Sequence, residues 1–272
     1  MQGIVATWLA DLQGLLKGEP LTVTDVRFGV FYTAVRLSSN HVGVAFTPRD
    51  LHDTVCCPRS AAAAPPAGRM AGEKAWTLAQ YALSPVPLRR AVGVAVLNAL
   101  SALAIARHGI PGGRLLSGVD ALAAARVQSQ DRVAMVGAFV PFIKTLKEQV
   151  EQLWIVDKHQ QALKPEELPL WRSPQHAADV LSRASVVLIT GSALVEGGLD
   201  ELLAAAGQAR RVVLAGPTAG PWPPTFFARG VHILGGLRVL DGDKLLQVVS
   251  EGGSGYFFHT VAEKVCMIRD GA

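Results

Sequence analysis

The hydrophobic pattern predicts an α/β chain, with a Rossmann-like parallel-sheet domain at the C-terminal end and a smaller α+β domain before it. Three observations carry this prediction. Short strand-like runs gather before residue 50, apolar helical runs fill about 74–107, and beyond about Arg126 short apolar runs alternate with helical ones. Strands followed by helices define an α+β arrangement, whereas alternation implies right-handed crossovers and a parallel sheet. The expected domains span residues 1–118 and 119–272.

In chain order, Ile4, Trp8, Leu9, Leu12, Leu15 and Leu16 recur at helical spacing, and Gly18 stops them. Leu21–Arg27, Phe31–Leu37 and His41–Phe46 are rich in Val, Thr, Phe and Tyr with short gaps, which predicts an antiparallel meander. Pro58–Gly72, with its alanine run and Pro65-Pro66, has loop composition. Lys74–Leu83 and Pro87 to about Arg107 are predicted helices, the second so apolar that it must be buried on most sides. In the second half, strands are expected at Arg132–Val136, Leu153–Val156, Ser185–Ile189, Arg211–Leu214 and Val231–Leu234. Helices are expected at Phe142–Val150, Pro174–Ser182 and Leu199–Ala206.

Composition narrows the function. The chain has 272 residues, of which half are hydrophobic and 18% charged, with mean hydropathy +0.29. A full core is affordable and intrinsic disorder is excluded. The longest charge-free helical run, 91–106, is shorter than the ~20 residues of a membrane span. The run 212–228 contains Pro217, Pro221, Pro223 and Pro224, so it cannot be a helix. No membrane insertion is expected. No basic stretch precedes the first apolar residues, which argues against a secretory signal. Cys56, Cys57 and Cys266 make no paired disulfide framework, so a cytoplasmic home is expected. Net charge is +4, but the basic residues are scattered and only 6% of the chain is aromatic. That pattern excludes a nucleic-acid partner. The apolar composition fits a homodimer.

In an open parallel sheet, ligands bind beyond the carboxyl ends of the strands. The informative segments are therefore Gly137-Ala138-Phe139-Val140-Pro141, Asp157-Lys158-His159, Thr190-Gly191-Ser192 and Gly216-Pro217-Thr218-Ala219-Gly220. Backbone N–H groups there suit an anion or carboxylate. Asp157 lies twenty residues beyond Gly137, the place of a ribose-binding acid, yet no G-x-G-x-x-G surrounds the first turn. Gly137 is equally a tight turn without ligand, and Asp157 a solvated strand end. Ser192 lacks a G-x-S-x-G elbow and is an anion ligand or a turn hydroxyl; Thr218 has the same two readings. His52, Cys56 and Cys57 offer soft and borderline metal donors, but no second pair completes a tetrahedral site. Asn98 stands in an otherwise apolar helix, where its amide must find hydrogen-bond partners. It either ties the helix to a loop or faces a cleft between the domains.

The order of several segments resembles the bacterial and archaeal family of heavy-metal chelatases, a domain of unknown function with a companion N-terminal domain. The segments are His41–Pro48, Arg90–Ala99, Val136–Pro141, Trp154–Asp157, Thr190–Val195 and Leu214–Thr218, which together reach across nearly the whole chain. The resemblance implies an enolase-N-terminal-like domain joined to a Rossmann-like one, with a site in the cleft between them. A role in heavy-metal chelation is proposed for that family, without an established catalytic activity. Carried over, it implicates Asn98, Gly137, Asp157, Thr190, Gly191, Gly216, Pro217 and Thr218. The chain departs from the family pattern at Asp157, Glu196 and Gly198, where Glu, Asn and Thr are usual.

Together these observations lead to one expectation. The interdomain cleft should bind a small anionic or metal-chelating ligand through Asn98, Gly137, Phe139, Asp157, Thr190, Gly191, Ser192, Gly216, Pro217 and Thr218. A divalent or heavy-metal ion would arrive with it. Oxygen donors of this kind suit carboxylate-bearing chelates better than a bare soft ion. The alternative is a nucleotide-binding module or cofactor-dependent transferase. No catalytic residue is assigned.

Overall fold

The structure, a computed structural model, describes residues 2–17, 19–49 and 63–272. Gly18, His52, Cys56, Cys57 and the start of the Pro58–Gly72 stretch lie outside the described residues. Two sheets organise the rest. Strands β1 (Val23–Phe28), β2 (Tyr32–Leu37) and β3 (Val42–Phe46) form the expected antiparallel meander, with Tyr32 opposite Phe46 and Val35 opposite Gly43.

The large sheet has eight strands: β4 (Gly113–Ser117), β5 (Arg132–Val136), β6 (Gln152–Val156), β7 (Trp171–Arg172), β8 (Val186–Thr190), β9 (Arg211–Ala215), β10 (Ile233–Val239) and β11 (Ala262–Arg269). Their spatial order is β4-β11-β10-β9-β8-β5-β6-β7. Strands β5 to β10 run parallel, and in chain order they sit 3-2-1-4-5-6, the doubly wound arrangement. The strand order therefore reverses between β5 and β8. β11 and β4 extend the sheet antiparallel beside β10. Neither was expected from the sequence, and β4 joins the large sheet although it precedes residue 118.

Helices α1 (Ile4–Leu15), α2 (Ala75–Ala79) and α3 (Pro87–His108) belong to the first half. Proline opens α3 at its first position, and Gly109, at φ 66°, ends it. The interior of α3 from Ala91 to Ser101 is buried, as its composition requires. It is the one described helix long and apolar enough to cross a membrane, and most of it is enclosed by protein. Two glycines let it pack so closely. A Cβ on Gly43 would lie 2.0 Å from the carbonyl oxygen of Ala95, and one on Gly93 would lie 1.9 Å from the amide of Ala82.

The second half contributes α4 (Ala121–Ala125), α5 (Val140–Gln149), α6 (Ala177–Arg183), α7 (Ala193–Glu196), α8 (Leu199–Ala205), α9 (Pro223–Phe227) and α10 (Gly242–Ser250). One core surrounds α3 and joins α1 and the small sheet to one face of the large sheet; a second lies under α4 and α5 on the other face. A third holds α10 between the small sheet and the 3-10 turn at Gly255–Thr260. The halves are also stitched by polar contacts. The Asp200 carboxylate accepts the first amide of α1 and Thr225 Oγ1 donates to the Asp11 carboxylate, while the Trp8 ring, anchored within the first half by Nε1 donating to Ser101 Oγ at 2.9 Å, meets Phe226 edge-on.

Candidate functional site

The loops that follow β5, β6, β8 and β9 meet where the strand order reverses. After β5 the chain turns at Gly137, which holds φ 91°. A Cβ there would lie 2.9 Å from Thr190 Cβ, so only glycine permits the loops after β5 and β8 to touch. Gly191 is equally confined, since a Cβ would come within 2.8 Å of the Ala219 amide. Gly216 turns at φ 113°, with the Phe139 ring 3.9 Å from where its Cβ would be. Phe139 stacks on Phe142 at 5.3 Å and leans toward the loop after β9.

Asp157 acts as a clamp. Its Oδ2 accepts the Ala138 amide and its Oδ1 the His159 amide, both at 2.8 Å. Its carbonyl accepts Trp171 Nε1 at 2.9 Å. The carboxylate thus fixes the loop after β5 against the loop after β6, and retains one unspent lone pair on each oxygen. Thr190 Oγ1 accepts the Ser192 amide at 3.3 Å, while the Ser192 carbonyl accepts the Val195 and Glu196 amides that begin α7. The Ser192 hydroxyl makes no capping bond.

Thr218 and Asn98 lie beneath this rim. Thr218 is 2% exposed; its Oγ1 accepts the Phe46 amide at 2.9 Å. Asn98 is 5% exposed and donates through Nδ2 to the carbonyls of Val44 at 2.8 Å and Thr218 at 2.9 Å. Its Oδ1 is buried without a donor among the described residues and faces Gly220. The amide therefore ties α3 and β3 to the loop after β9. Among the described residues, the backbone amides of Thr218 and Gly220 donate no hydrogen bond.

The structure brings Gly137, Phe139, Thr190, Gly191, Gly216 and Thr218 into direct succession around the reversal point, with Asp157 joined through Ala138 and Asn98 through Thr218. Pro217 sits at the edge, packed toward Gly255. Sequence reasoning missed Tyr32 altogether and, for Lys158, the partner it reaches. Tyr32, on β2, also approaches Gly255, and burial pushes its hydroxyl up to about 12, so it is neutral at physiological pH. Lys158 Nζ pairs with Glu196 Oε2 at 2.5 Å, bridging the loop after β6 to α7. Arg90 Nε fixes the same helix through the Val195 carbonyl at 2.6 Å. Lys158 directly follows Asp157, but nothing local shows that it reaches Glu196.

No group of three or more His, Cys, Asp or Glu is placed to hold a metal ion among the described residues. Cys266 is buried, and its thiol is pushed up to about 11, mainly by burial. It donates to the Val119 carbonyl at 3.2 Å and is poorly suited to metal or redox chemistry.

The fold and this site define a two-sheet α/β protein with polar loops gathered at the reversal point of a doubly wound sheet. The chain belongs to the DUF364 family, described as "Putative heavy-metal chelation", which matches residues 120–268, more than half of its length. Residues 12–101 match a second family, DUF4213, with the same description. An uncharacterized protein of Methanocaldococcus jannaschii is 26% identical over 184 residues, 66% of this chain and 66% of the relative. The match thus spans just under two thirds of that relative's length. A solved structure of a DUF364 protein of unknown function from Pyrococcus horikoshii has a TM-score of 0.78 at 20% identity, covering 98% of this chain and 100% of that one. Its counterpart from Desulfitobacterium hafniense has a TM-score of 0.77 at 20% identity, covering 99% and 100%. At that identity the likeness shows the fold.

Proposed function

We propose that the loops at the reversal point bind a small anionic, metal-chelating molecule, as a heavy-metal chelation protein would require. The observation that supports it is the gathering of half-buried Asp157, Thr190 and Ser192 on adjoining loops, with the loop after β9 packed against Gly191 and its Thr218 and Gly220 amides unspent just beneath. Hydroxyl and amide donors suit the carboxylates of a chelate, and the remaining Asp157 lone pairs suit its hard cation or hydroxyls. Phe139 gives the ligand an apolar wall. The described donors do not make a closed protein-held metal centre, so metal is read as cargo that enters inside its chelate. The proposed division of labour runs along residues 1–118 and 119–272: the first part supports the loop after β9 through Asn98, and the second carries the rim.

Calorimetric titration with divalent metals, siderophore-like chelators with and without metal, and nucleotides tests this. A metal-loaded chelate should bind, and Ser192→Ala should weaken it roughly 2–10-fold, the worth of one hydrogen bond. Tight binding of a nucleotide with no response to any chelate would overturn the reading.

A further inference from the structure

At the opposite end of the large sheet, where β9 and β10 begin, a cavity of about 160 Å³ opens beside α4. Arg114, Arg126 and Arg211 line it, over an apolar floor of Leu116, Ile233 and Ile268. The three arginines come from unrelated places: the edge strand β4, the left-handed residue that closes α4, and the first position of β9. Arg210, next in sequence, is paired with buried Asp131. Among the described residues, no carboxylate pairs with Arg114, Arg126 or Arg211, and Arg211 Nε is buried without any acceptor.

Guanidinium groups stay protonated in proteins, so this cavity gathers positive charge that no side-chain carboxylate among the described residues pairs with. Arg114 and Arg126 are exposed and Arg211 is half-buried, so the cost of desolvation falls on Arg211, whose Nε is withdrawn from water without a partner. The surroundings register the excess. Burial first, and then neighbouring Arg210, Arg126 and Arg269, hold Arg211 below the ordinary arginine value. Burial, with Arg269 and Arg211, pushes nearby His232 down to about 4.

We propose that this cavity is a binding site for a phosphate group, free or carried on a small molecule. A phosphate carries about −1.5 to −2 charges and three acceptor oxygens, which match a set of guanidinium forks. The cavity is smaller than the ~300 Å³ of a pocket for drug-sized ligands. It therefore admits the anionic group and a few apolar atoms lying on Leu116, Ile233 and Ile268. The site is distant from the loops at the carboxyl ends of the strands and does not depend on how those loops function.

The test is calorimetry and thermal denaturation of the full chain with inorganic phosphate, against sodium chloride and acetate at matched ionic strength. Saturable binding with stabilisation is expected from phosphate alone. Arg211→Gln should lower affinity roughly tenfold or more, since a charge-assisted bond is lost. It should not lower Tm in phosphate-free buffer, because it removes a half-buried guanidinium whose Nε has no acceptor and whose neighbours are also cationic. Arg238→Gln, at an exposed pair with Glu263, should leave phosphate affinity unchanged. No saturable response to millimolar phosphate, an equal response to acetate, or unchanged affinity in Arg211→Gln would overturn the proposal. Ala272 also lines the cavity. Binding seen only after removal of Gly271 and Ala272 would mean that the chain fills the site itself, and would overturn it too.

Discussion

Replacing Asn98 with leucine preserves side-chain volume inside an apolar helix, and on burial alone it should be harmless. The hydrogen bonds say otherwise. Both Nδ2 protons are spent, on the carbonyls of Val44 and Thr218, and all three groups are buried. Asn98→Leu leaves two carbonyls without a donor, at about 1–3 kcal/mol each. The same change deletes Oδ1, which has no donor, and so recovers roughly 1–3 kcal/mol. The balance is a net loss of about 1–3 kcal/mol, and each kcal/mol lowers Tm by roughly 2–4 °C in a chain of this size. Asn98→Asp should be worse at neutral pH, because it sets a carboxylate against two carbonyl oxygens. Part of that loss should return in acid, when the carboxyl can donate one bond. Urea and thermal denaturation of both variants measure this. A leucine variant within ~0.5 kcal/mol of the parent would refute the two-carbonyl clamp.

Three further outcomes are expected. Gly43→Ala should destabilise at or beyond the upper end of the ~1–3 kcal/mol typical of overpacking, because the added Cβ meets α3 backbone rather than a movable side chain; denaturation midpoints check it. Burial pushes the Asp131 carboxyl up, but Arg210, the Gln128 amide and Ser185 together hold it below its ordinary 3.8. A depressed folded value means that its charge stabilises above the unfolded value and is lost as pH falls through the folded one. Asp131→Asn should therefore cost stability at neutral pH and little near pH 2, in a stability-against-pH series. His232 should stay neutral until about pH 4, its Nδ1 accepting the Val212 amide at 3.1 Å. Its unfolded form takes a proton at about 6.5, so the stability it confers is complete above 6.5 and erodes between 6.5 and 4. NMR titration of the His232 ring with a midpoint near 6.5 would contradict this.

Much of the architecture was legible because local chemistry decides it. Pro87 and Gly109 punctuate α3, and its near-continuous apolar run could only be a core helix. Strands β5, β6, β8 and β9 are buried on both faces, so each is a short apolar run ending in a turn residue. The polar segments after those strands followed from the same logic, since the chain must turn there with Gly137, Thr190-Gly191 or Gly216. The α-helix boundaries shifted by three or four residues where 3-10 turns take the ends of the expected helices, as at Gln80–Leu83 and Pro174–His176.

Tertiary structure alone decided what those segments do. β11 is a strand because β10 offers an edge for pairing, and β4 because β11 in turn does; such an edge is a non-local property absent from their own short apolar runs. The reversal between β5 and β8 depends on strand order, which periodicity does not encode. Asn98 was visible as a polar residue that needed partners. That those partners are Val44 and Thr218, on separate parts of the chain, follows only from packing α3 across both sheets. Arg114, Arg126 and Arg211 carry no common motif, and they share a cavity because a β-edge, a helix end and a strand start converge there. Sequence pattern records whether a residue's own neighbours favour burial, turn or helix. Which distant group meets it is set by register and crossover, whose free energy is spread over many long-range contacts.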